Sequence, residues 1–422
     1  MTGKGYSAME QLLSMMEIPA SSSKTFKQQE EEISEVWLES LTEAVEQAAE
    51  EERQYAIEEG HVNKDGVSYV TVIVDGGWSH LSYGHSYVAK SGVAILAGKK
   101  TGKLLFLGLR NMYCSICSPA ETRKQKPNEH NCYKNWSSCS STMESDILFE
   151  GFKASEKTRG LRYLKYIGDG DSSVQKAITE RVPYGLQVVK TGCTNHLLEK
   201  LYKHLLRLSK ENCQNKKILT QKRIKYIQRR IRHLITEEFR KENPSVVTLK
   251  NYIRATPYHV FGNHTDCRQE ICNKANISSV SELDTAPRNF LARIISITGN
   301  FAAKGDSLVP NLTSNSAETY MRLVARFSDG KQFFSTRGSY NTRCYGVALS
   351  FQHGSSWIHN AWKRKVGKNP GQRAKRLVTK KGENKSSARK CLQFRHKVSK
   401  KTVPTTGETA SCLRYLQRRS NL

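Results

Sequence analysis

Three acidic residues of this 422-residue chain stand where their carboxylates can reach a shared pair of metal ions. Asp75 ends the apolar run 70–74, Asp169 ends a second strand-like run, and Glu318 stands near the start of an amphipathic stretch. Mg²⁺ and Mn²⁺ prefer oxygen ligands, and a pair of them can activate an attacking oxygen and stabilise a leaving oxygen. The pattern predicts a site for phosphodiester chemistry in which these three residues are the catalytic metal ligands.

Other acids compete for two of the three positions. Asp171 is an additional or alternative ligand beside Asp169, and Asp329 and Glu144 are alternatives to Glu318. An Asp-Gly pair at the end of a strand is also ordinary turn chemistry, so neither aspartate is diagnostic alone. The glycines beside the two aspartates are expected to let a phosphate backbone come close.

Alternating apolar patterns and turn residues predict the elements that must position these acids. The predicted strands span 67–75, 92–96, 103–109, 163–169 and 187–191, and the predicted helices span 142–152, 173–180 and 314–327. Three strands, a helix, and then alternating strand and helix is the order of a ribonuclease-H-like α/β fold. In such sheets the chemistry gathers at the ends of strands.

The chain divides by composition into five parts. These are an acidic helical segment at 1–62 that packs on the core, the first part of the core at 63–193, a mainly helical basic insertion at 194–300, the end of the core at 301–360, and a disordered basic tail at 361–422. The tail holds 19 Lys/Arg against 2 Asp/Glu. Its basic runs fit nuclear import signals or a nonspecific phosphate-binding arm equally well.

Charge and hydropathy restrict the partners. The net charge is +28 and the pI about 9.7, which predicts a polyanionic partner, most commonly nucleic acid. Basic residues crowd the helical stretch 216–232 around an apolar stripe, which suits contacts to backbone phosphates. No run approaches the roughly 20 apolar residues of a membrane span, and no hydrophobic signal core opens the chain. A cytosolic or nuclear location without membrane association is expected.

Eleven cysteines and nearby histidines suggest reduced thiols and metal sites rather than disulfides. One predicted zinc cluster, within 114–132, consists of Cys114, Cys117, His130 and Cys132. A second candidate cluster has a spacing that matches no common zinc finger, and its possible ligands are His259, His264, Cys267 and Cys272. Cys193 and His196 flank the same insertion and are alternative ligands for that second cluster.

Nine stretches resemble a known family. They are VIVDGGW (72–78), SYGHSY (82–87), SGV (91–93), YCSIC (113–117), EHNC (129–132), KNW (134–136), IGDGDSSV (167–174), PYHVFG (257–262) and RGSY (337–340). Over about residues 10–350 the chain is similar to the Mutator-like transposase domain found widely in arthropods. The resemblance implies a DDE-type transposase with a ribonuclease-H-like core, in which Asp75, Asp169 and Glu318 are the acids. Cys193-Thr194-Asn195-His196 matches the Cys-x-x-His that follows the second acid in the wider Mutator group.

The resemblance also implies a reaction and its partners. The expected activity is Mg²⁺- or Mn²⁺-dependent cleavage of DNA at transposon ends, followed by strand transfer to target DNA, in the nucleus and by a homodimer or higher assembly. The chain is expected to lack a separate N-terminal DNA-binding module. Two alternatives therefore stay open: a domesticated, catalytically inactive DNA-binding protein, and a metal-dependent ribonuclease that uses the same acids.

Overall fold

The computed structural model of this protein describes residues 5–79, 89–169, 172–211, 213–265, 267, 272, 288–328, 338–354, 356–376 and 378–379. The strands are β1 (Ser68–Trp78), β2 (Ser91–Gly98), β3 (Leu104–Asn111), β4 (Leu161–Gly168) and β5 (Val189–Gly192). The helices are α1 (Tyr6–Met15), α2 (Ser23–Glu58), α3 (Cys117–Thr122), α4 (Met143–Arg159), α5 (Ser172–Arg181), α6 (Thr194–Lys210), α7 (Cys213–Ile218), α8 (Gln221–Phe239), α9 (Val246–Val260), α10 (Arg288–Ala302), α11 (Gly305–Leu308), α12 (Asn315–Phe327), α13 (Ser339–His353) and α14 (Trp357–Val366).

The five strands form one mixed sheet in the order β3-β2-β1-β4-β5. Strand β2 runs antiparallel to both of its neighbours, whereas β4 and β5 run parallel to β1. Three strands, helix α4, and then β4, α5 and β5 follow one another as the sequence predicted, so the α/β prediction is confirmed.

Alternating side chains of each strand pack on opposite faces of the sheet, as the two-residue period of a strand requires. Ile73, Ile95 and Ile167 share one core cluster with residues of α12 and α13. Val72 and Val74 share the other cluster with residues of α4 and α5. Because Asp75 is two residues beyond Ile73, it belongs to the face that α12 covers.

The acidic segment near the start of the chain forms the 36-residue helix α2. Leu41, Val45 and Ala48 of this helix are buried in the core. Glu52 is also buried, and its Oε1 accepts hydrogen bonds from the Lys100 and Thr101 amides at 3.1 and 2.7 Å. Helix α2 therefore holds the turn between β2 and β3 as well as packing on the core.

The insertion leaves the sheet after β5 and returns to it at α12. Its helices α6 to α10 bury their own apolar cluster, which includes Leu205, Ile231, Ile253 and Ile294. The predicted basic stretch 216–232 is divided between α7 and α8, and the expected stripe is buried in this cluster. The mainly helical insertion is thus a second packed unit with a core of its own.

Several predicted boundaries differ from the structure, and two of the differences concern the site and the tail. Strand β1 runs to Trp78 and pairs with β2 throughout 72–78, so Asp75 lies three residues before its end. Helix α14 continues to Val366, beyond the residue at which the tail was expected to begin. None of the described helices combines the length and apolar composition that crossing a membrane requires.

Candidate active site and metal-binding clusters

Asp75 and Asp169 occupy equivalent positions on two neighbouring parallel strands. The pairing of β1 with β4 ends at Ile73 and Ile167, and each aspartate lies two residues beyond its isoleucine. Asp75 is still paired with Ile95 of β2, whereas Asp169 directly follows the last residue of β4. The two acids are thereby brought to one edge of the α12-covered face, because parallel strands end on the same side.

The environment of Asp75 disfavours its own charge. Burial raises the pKa of Asp75 to about 6, and the Glu318 and Asp169 carboxylates add to that rise. The Gly76 amide, which donates to Asp75 Oδ1 at 3.0 Å, and the nearby His196 act in the opposite direction. A desolvated carboxylate beside two others fits a site that receives a divalent cation, since a cation would relieve this repulsion.

Glu318 projects from the first turn of α12. Its Oε1 accepts a hydrogen bond from Ser314 Oγ at 2.7 Å and lies 3.9 Å from His196 Nε2. Its Oε2 lies 3.7 Å from Arg322 Nη2. The side chain is about a quarter exposed, so it is accessible to an incoming ion.

The structure brings Glu318 closest to a different pair of predicted residues. Cys193, His196 and Glu318 form a group whose ligand atoms all lie within 4.8 Å of one another. No such group among the described residues contains Asp75 or Asp169, and Asp169 Oδ1 accepts a hydrogen bond from Lys200 Nζ at 3.1 Å. The three acids share one neighbourhood, and closing them around metal ions requires side-chain movement, including release of Asp169 from Lys200.

The other candidate acids are placed differently. Asp171 and Asp329 lie outside the described residues. Glu144 belongs to α4, on the opposite face of the sheet from α12, and packs against Gly76. It is therefore poorly placed to replace Glu318.

The glycines beside the acids make room for protein rather than for a ligand. A Cβ on Gly76 would lie 2.5 Å from the Glu144 side chain, and one on Gly168 would lie 2.7 Å from Val74. A Cβ on Gly77 would lie 3.0 Å from Met321 Sδ. The expectation that these glycines leave space for a phosphate backbone is wrong for these three positions.

The first Cys/His cluster assembles as the spacing predicted. The ligand atoms of Cys114, Cys117, His130 and Cys132 all lie within 4.8 Å of one another. His130 Nε2 lies 3.2 Å from Cys114 Sγ, while its Nδ1 lies 2.7 Å from the Asn128 carbonyl oxygen. A proton on Nδ1 donated to that carbonyl leaves the Nε2 lone pair for a metal, the usual arrangement of a ligating histidine.

The Cys114 thiol of this cluster is suited to a cation. Burial raises its pKa, but hydrogen bonds from the Cys117 and Ile116 amides, together with those of the His130 and Cys117 side chains, lower it to about 7. Thiolate and imidazole are the preferred ligands of tetrahedral zinc. The donor set therefore fits zinc, and zinc binding here stays a prediction.

The second cluster also comes together. The ligand atoms of His259, His264, Cys267 and Cys272 lie within 4.8 Å of one another, with the two Nδ1 atoms 3.1 Å apart. Burial lowers the pKa of His259 to about 4, and Arg230 and His264 contribute to this shift. The imidazole is therefore neutral at physiological pH, as a metal ligand must be.

Cys193 and His196 do not join the second cluster. They lie beside Glu318 instead, in a separate group. Sequence reasoning also missed Ser314, which links Cys193 to Glu318. Its position four residues before a predicted helical acid was the only available signal.

Comparison with known proteins identifies the family of the chain. The Mutator-like transposase family model matches residues 1–272. The chain therefore belongs to the Mutator-like transposase family, and the suspected resemblance is confirmed at that level. No curated protein and no solved structure matches the chain. The matched range contains Asp75 and Asp169 and ends before Glu318.

Proposed function

We propose that this protein is a DDE-type transposase that cleaves DNA at transposon ends and transfers the freed 3′-hydroxyl to target DNA. The observation that carries the proposal is the equivalent placement of Asp75 and Asp169 on adjacent parallel strands, with Glu318 on the helix that covers the same face. Membership of a transposase family supports the same reaction class. The element order of the sheet supports a ribonuclease-H-like core.

The three carboxylates would hold Mg²⁺ or Mn²⁺, which supply activation of the attacking oxygen and charge stabilisation of the leaving oxygen. Asp75 contributes a buried oxygen whose proton leaves readily near neutral pH, because its pKa is about 6. Glu318 contributes its Oε2, since Ser314 already occupies Oε1. Asp169 would also hold the metal on release from Lys200, and the freed ammonium would then be available to a DNA phosphate. No side-chain nucleophile is needed.

The insertion offers a surface for the DNA backbone. Lys222, Lys225 and Arg229 of α8 are exposed on the side of the helix opposite the buried stripe. Lys200 of α6 belongs to the same unit and pairs directly with Asp169. We propose that these cations bind DNA phosphates and direct the scissile bond to the acidic site.

The two Cys/His clusters are proposed as structural zinc sites. Each offers four N/S ligands, and a closed set of four is the usual structural arrangement. Action in the nucleus and assembly into a homodimer or larger complex are proposed from the family and the basic charge.

The test is cleavage of labelled duplex DNA in Mg²⁺ or Mn²⁺ by the wild type and by Asp169→Asn. Asp306→Asn is a matched control, because Asp306 also pairs with a lysine, Lys250, at 2.9 Å and lies away from the predicted acids. Metal-dependent nicking that survives in the control and disappears in Asp169→Asn supports the proposal. DNA binding without cleavage in all three proteins favours an inactive DNA-binding protein, and cleavage of RNA alone favours a ribonuclease.

A further inference from the structure

Ser314 stands at the N-terminal cap of α12 but does not act as a cap. A serine at this position usually accepts a hydrogen bond from an amide of the first helical turn. Here the hydroxyl makes no such bond. Its Oγ lies 2.7 Å from Glu318 Oε1 and 3.2 Å from Cys193 Sγ, so the hydroxyl connects those two side chains.

The Ser314 hydroxyl is the donor in both of these side-chain contacts. Its single hydrogen faces two acceptors, Glu318 Oε1 and Cys193 Sγ. The Ser314 amide lies 3.4 Å from Cys193 Sγ and donates to it. Cys193 is only 1% exposed, so solvent does not compete for these hydrogen bonds.

We propose that Cys193 and Ser314 form a positioning relay that fixes the Glu318 carboxylate for metal binding, an inference that rests on the proposed function of Glu318. A glutamate has several rotatable bonds, and an unrestrained carboxylate loses entropy when it binds a metal. The relay holds Oε1 and so restricts the rotamers that the Glu318 carboxylate can adopt. Partners of this kind typically change metal affinity or activity 10–100-fold when they are removed.

The relay also lies where the two ends of the insertion meet. Cys193 stands between β5 and α6, where the chain enters the insertion, and Ser314 stands where the chain returns from it. Two further contacts join these segments: the Thr194 amide donates to the Leu312 carbonyl at 2.8 Å, and Asn195 Nδ2 donates to Asn315 Oδ1 at 2.7 Å. The orientation of Glu318 is thereby coupled to the geometry of the two chain segments at which the insertion begins and ends.

The experiment measures plasmid nicking and direct Mn²⁺ binding in the full chain as functions of metal concentration. Ser314→Ala should raise the Mn²⁺ concentration for half-maximal nicking by about 10–100-fold. Ser316→Ala is the matched control, because Ser316 is on the same helical turn and its buried hydroxyl makes no hydrogen bond with the described residues. Unchanged metal dependence in Ser314→Ala would overturn the proposal.

Substitutions at Cys193 separate positioning from packing. Cys193→Ser keeps an acceptor for the Ser314 amide and hydroxyl, whereas Cys193→Ala removes it. A buried hydroxyl costs more stability than a methyl group, so a purely structural role predicts that the serine variant is the more impaired. The relay predicts the reverse order for Mn²⁺ affinity, with Cys193→Ser closer to the wild type. If Cys193→Ser binds Mn²⁺ more weakly than Cys193→Ala, the relay is contradicted.

A metal-free measurement keeps this inference distinct from the proposed function. The thermal midpoints of Ser314→Ala, Glu318→Gln and the double variant form a cycle that measures their coupling without cleavage. Non-additive shifts are expected, and additive shifts would overturn the relay even if the wild type cleaves DNA. If the wild type neither cleaves DNA in a metal-dependent way nor binds Mn²⁺, the proposed function is wrong. The positioning role then fails with it, whatever result the double-variant cycle gives.

Discussion

The acidic site and the first Cys/His cluster hold their ligands in different ways. Asp75, Asp169 and Glu318 are carried by strands of the sheet and by a helix packed on it. Cys114, His130 and Cys132 lie on irregular backbone, and the only helix among them, α3, is six residues long. The acids are therefore placed by the fold before any metal binds, whereas the cluster depends on its ligands to fix its own backbone.

The two regions also differ in how a bound metal would stabilise them. At the acidic site, folding gathers buried negative charge, and the raised pKa of Asp75 records that cost. At the cluster, Cys117 Sγ lies only 3.6 Å from Cys132 Sγ, and the four ligands connect segments of mostly irregular backbone. We therefore expect loss of metal to unfold the cluster locally but to leave the acidic site folded and strained by repulsion.

The largest effect expected from this difference is at the cluster. Cys117→Ser should remove one zinc ion and cost several kcal/mol of stability, because binding and folding of such sites are coupled. Zinc content by atomic emission and the thermal midpoint measure the change. The control is Cys139→Ser, since Cys139 is exposed and belongs to none of the metal-ligand groups among the described residues. An equal zinc content in Cys117→Ser and the wild type would refute the assignment.

At the acidic site, loss of a charged ligand is expected to raise the stability of the metal-free protein rather than lower it. The pKa of Asp75 is raised in the folded state, so stability from this group is fully present below about pH 4 and is lost as the pH rises through 6. Asp75→Asn should therefore stabilise the metal-free protein at pH 7 by on the order of 2–3 kcal/mol. Denaturant unfolding at pH 7 and pH 4 measures this gain, which should vanish at the lower pH. Destabilisation at pH 7 would show that Asp75 has another, structural role.

A smaller effect is expected at helix α2, where one oxygen of a buried carboxylate accepts three hydrogen bonds. Glu52 accepts from two amides and from the Thr101 hydroxyl, so Glu52→Ala should destabilise the protein by about 1–3 kcal/mol through unpaired donors. The measurement is again denaturant unfolding, with exposed Glu58→Ala of the same helix as the reference. A neutral result would mean that water replaces this carboxylate at the turn.

The smallest effect is expected on the insertion. Lys225→Ala should weaken DNA binding by a few fold and lower the salt dependence by about one counterion, because one phosphate contact is lost. Fluorescence anisotropy at several salt concentrations measures both quantities. Lys64→Ala, a change at a distant exposed lysine, serves as the reference. Identical salt slopes for the two variants would exclude α8 from the DNA path.

The sequence was sufficient for features that depend on local pattern. Alternating apolar residues located all five strands, and close Cys/His spacing identified both clusters whose ligand atoms the structure brings together. These features need only a few neighbouring residues to be specified. The strand ends were less accurate, because β1 continues through Gly76 and Gly77 by pairing with β2, which a propensity pattern does not show.

Contacts that form because the two ends of the insertion meet could not be predicted from local sequence pattern. Cys193 and Ser314 are 121 positions apart, and their contact exists because both ends of the insertion meet beside the sheet. The same closure places Cys193 and His196 with Glu318 rather than with His259. The roles of the glycines were also hidden, because the side chains that fill their space come from α4, α12 and the neighbouring strand β1.

A count of bound Mn²⁺ tests the central claim, that Asp75, Asp169 and Glu318 form one metal site, most directly. Electron paramagnetic resonance titration would compare the wild type with Asp75→Asn, Asp169→Asn, Glu318→Gln and the control Asp306→Asn. The account predicts tight Mn²⁺ binding in the wild type and control, and strong weakening in each of the other three variants. Equal binding in all five proteins, or loss in only one of the three acid variants, would contradict a shared site.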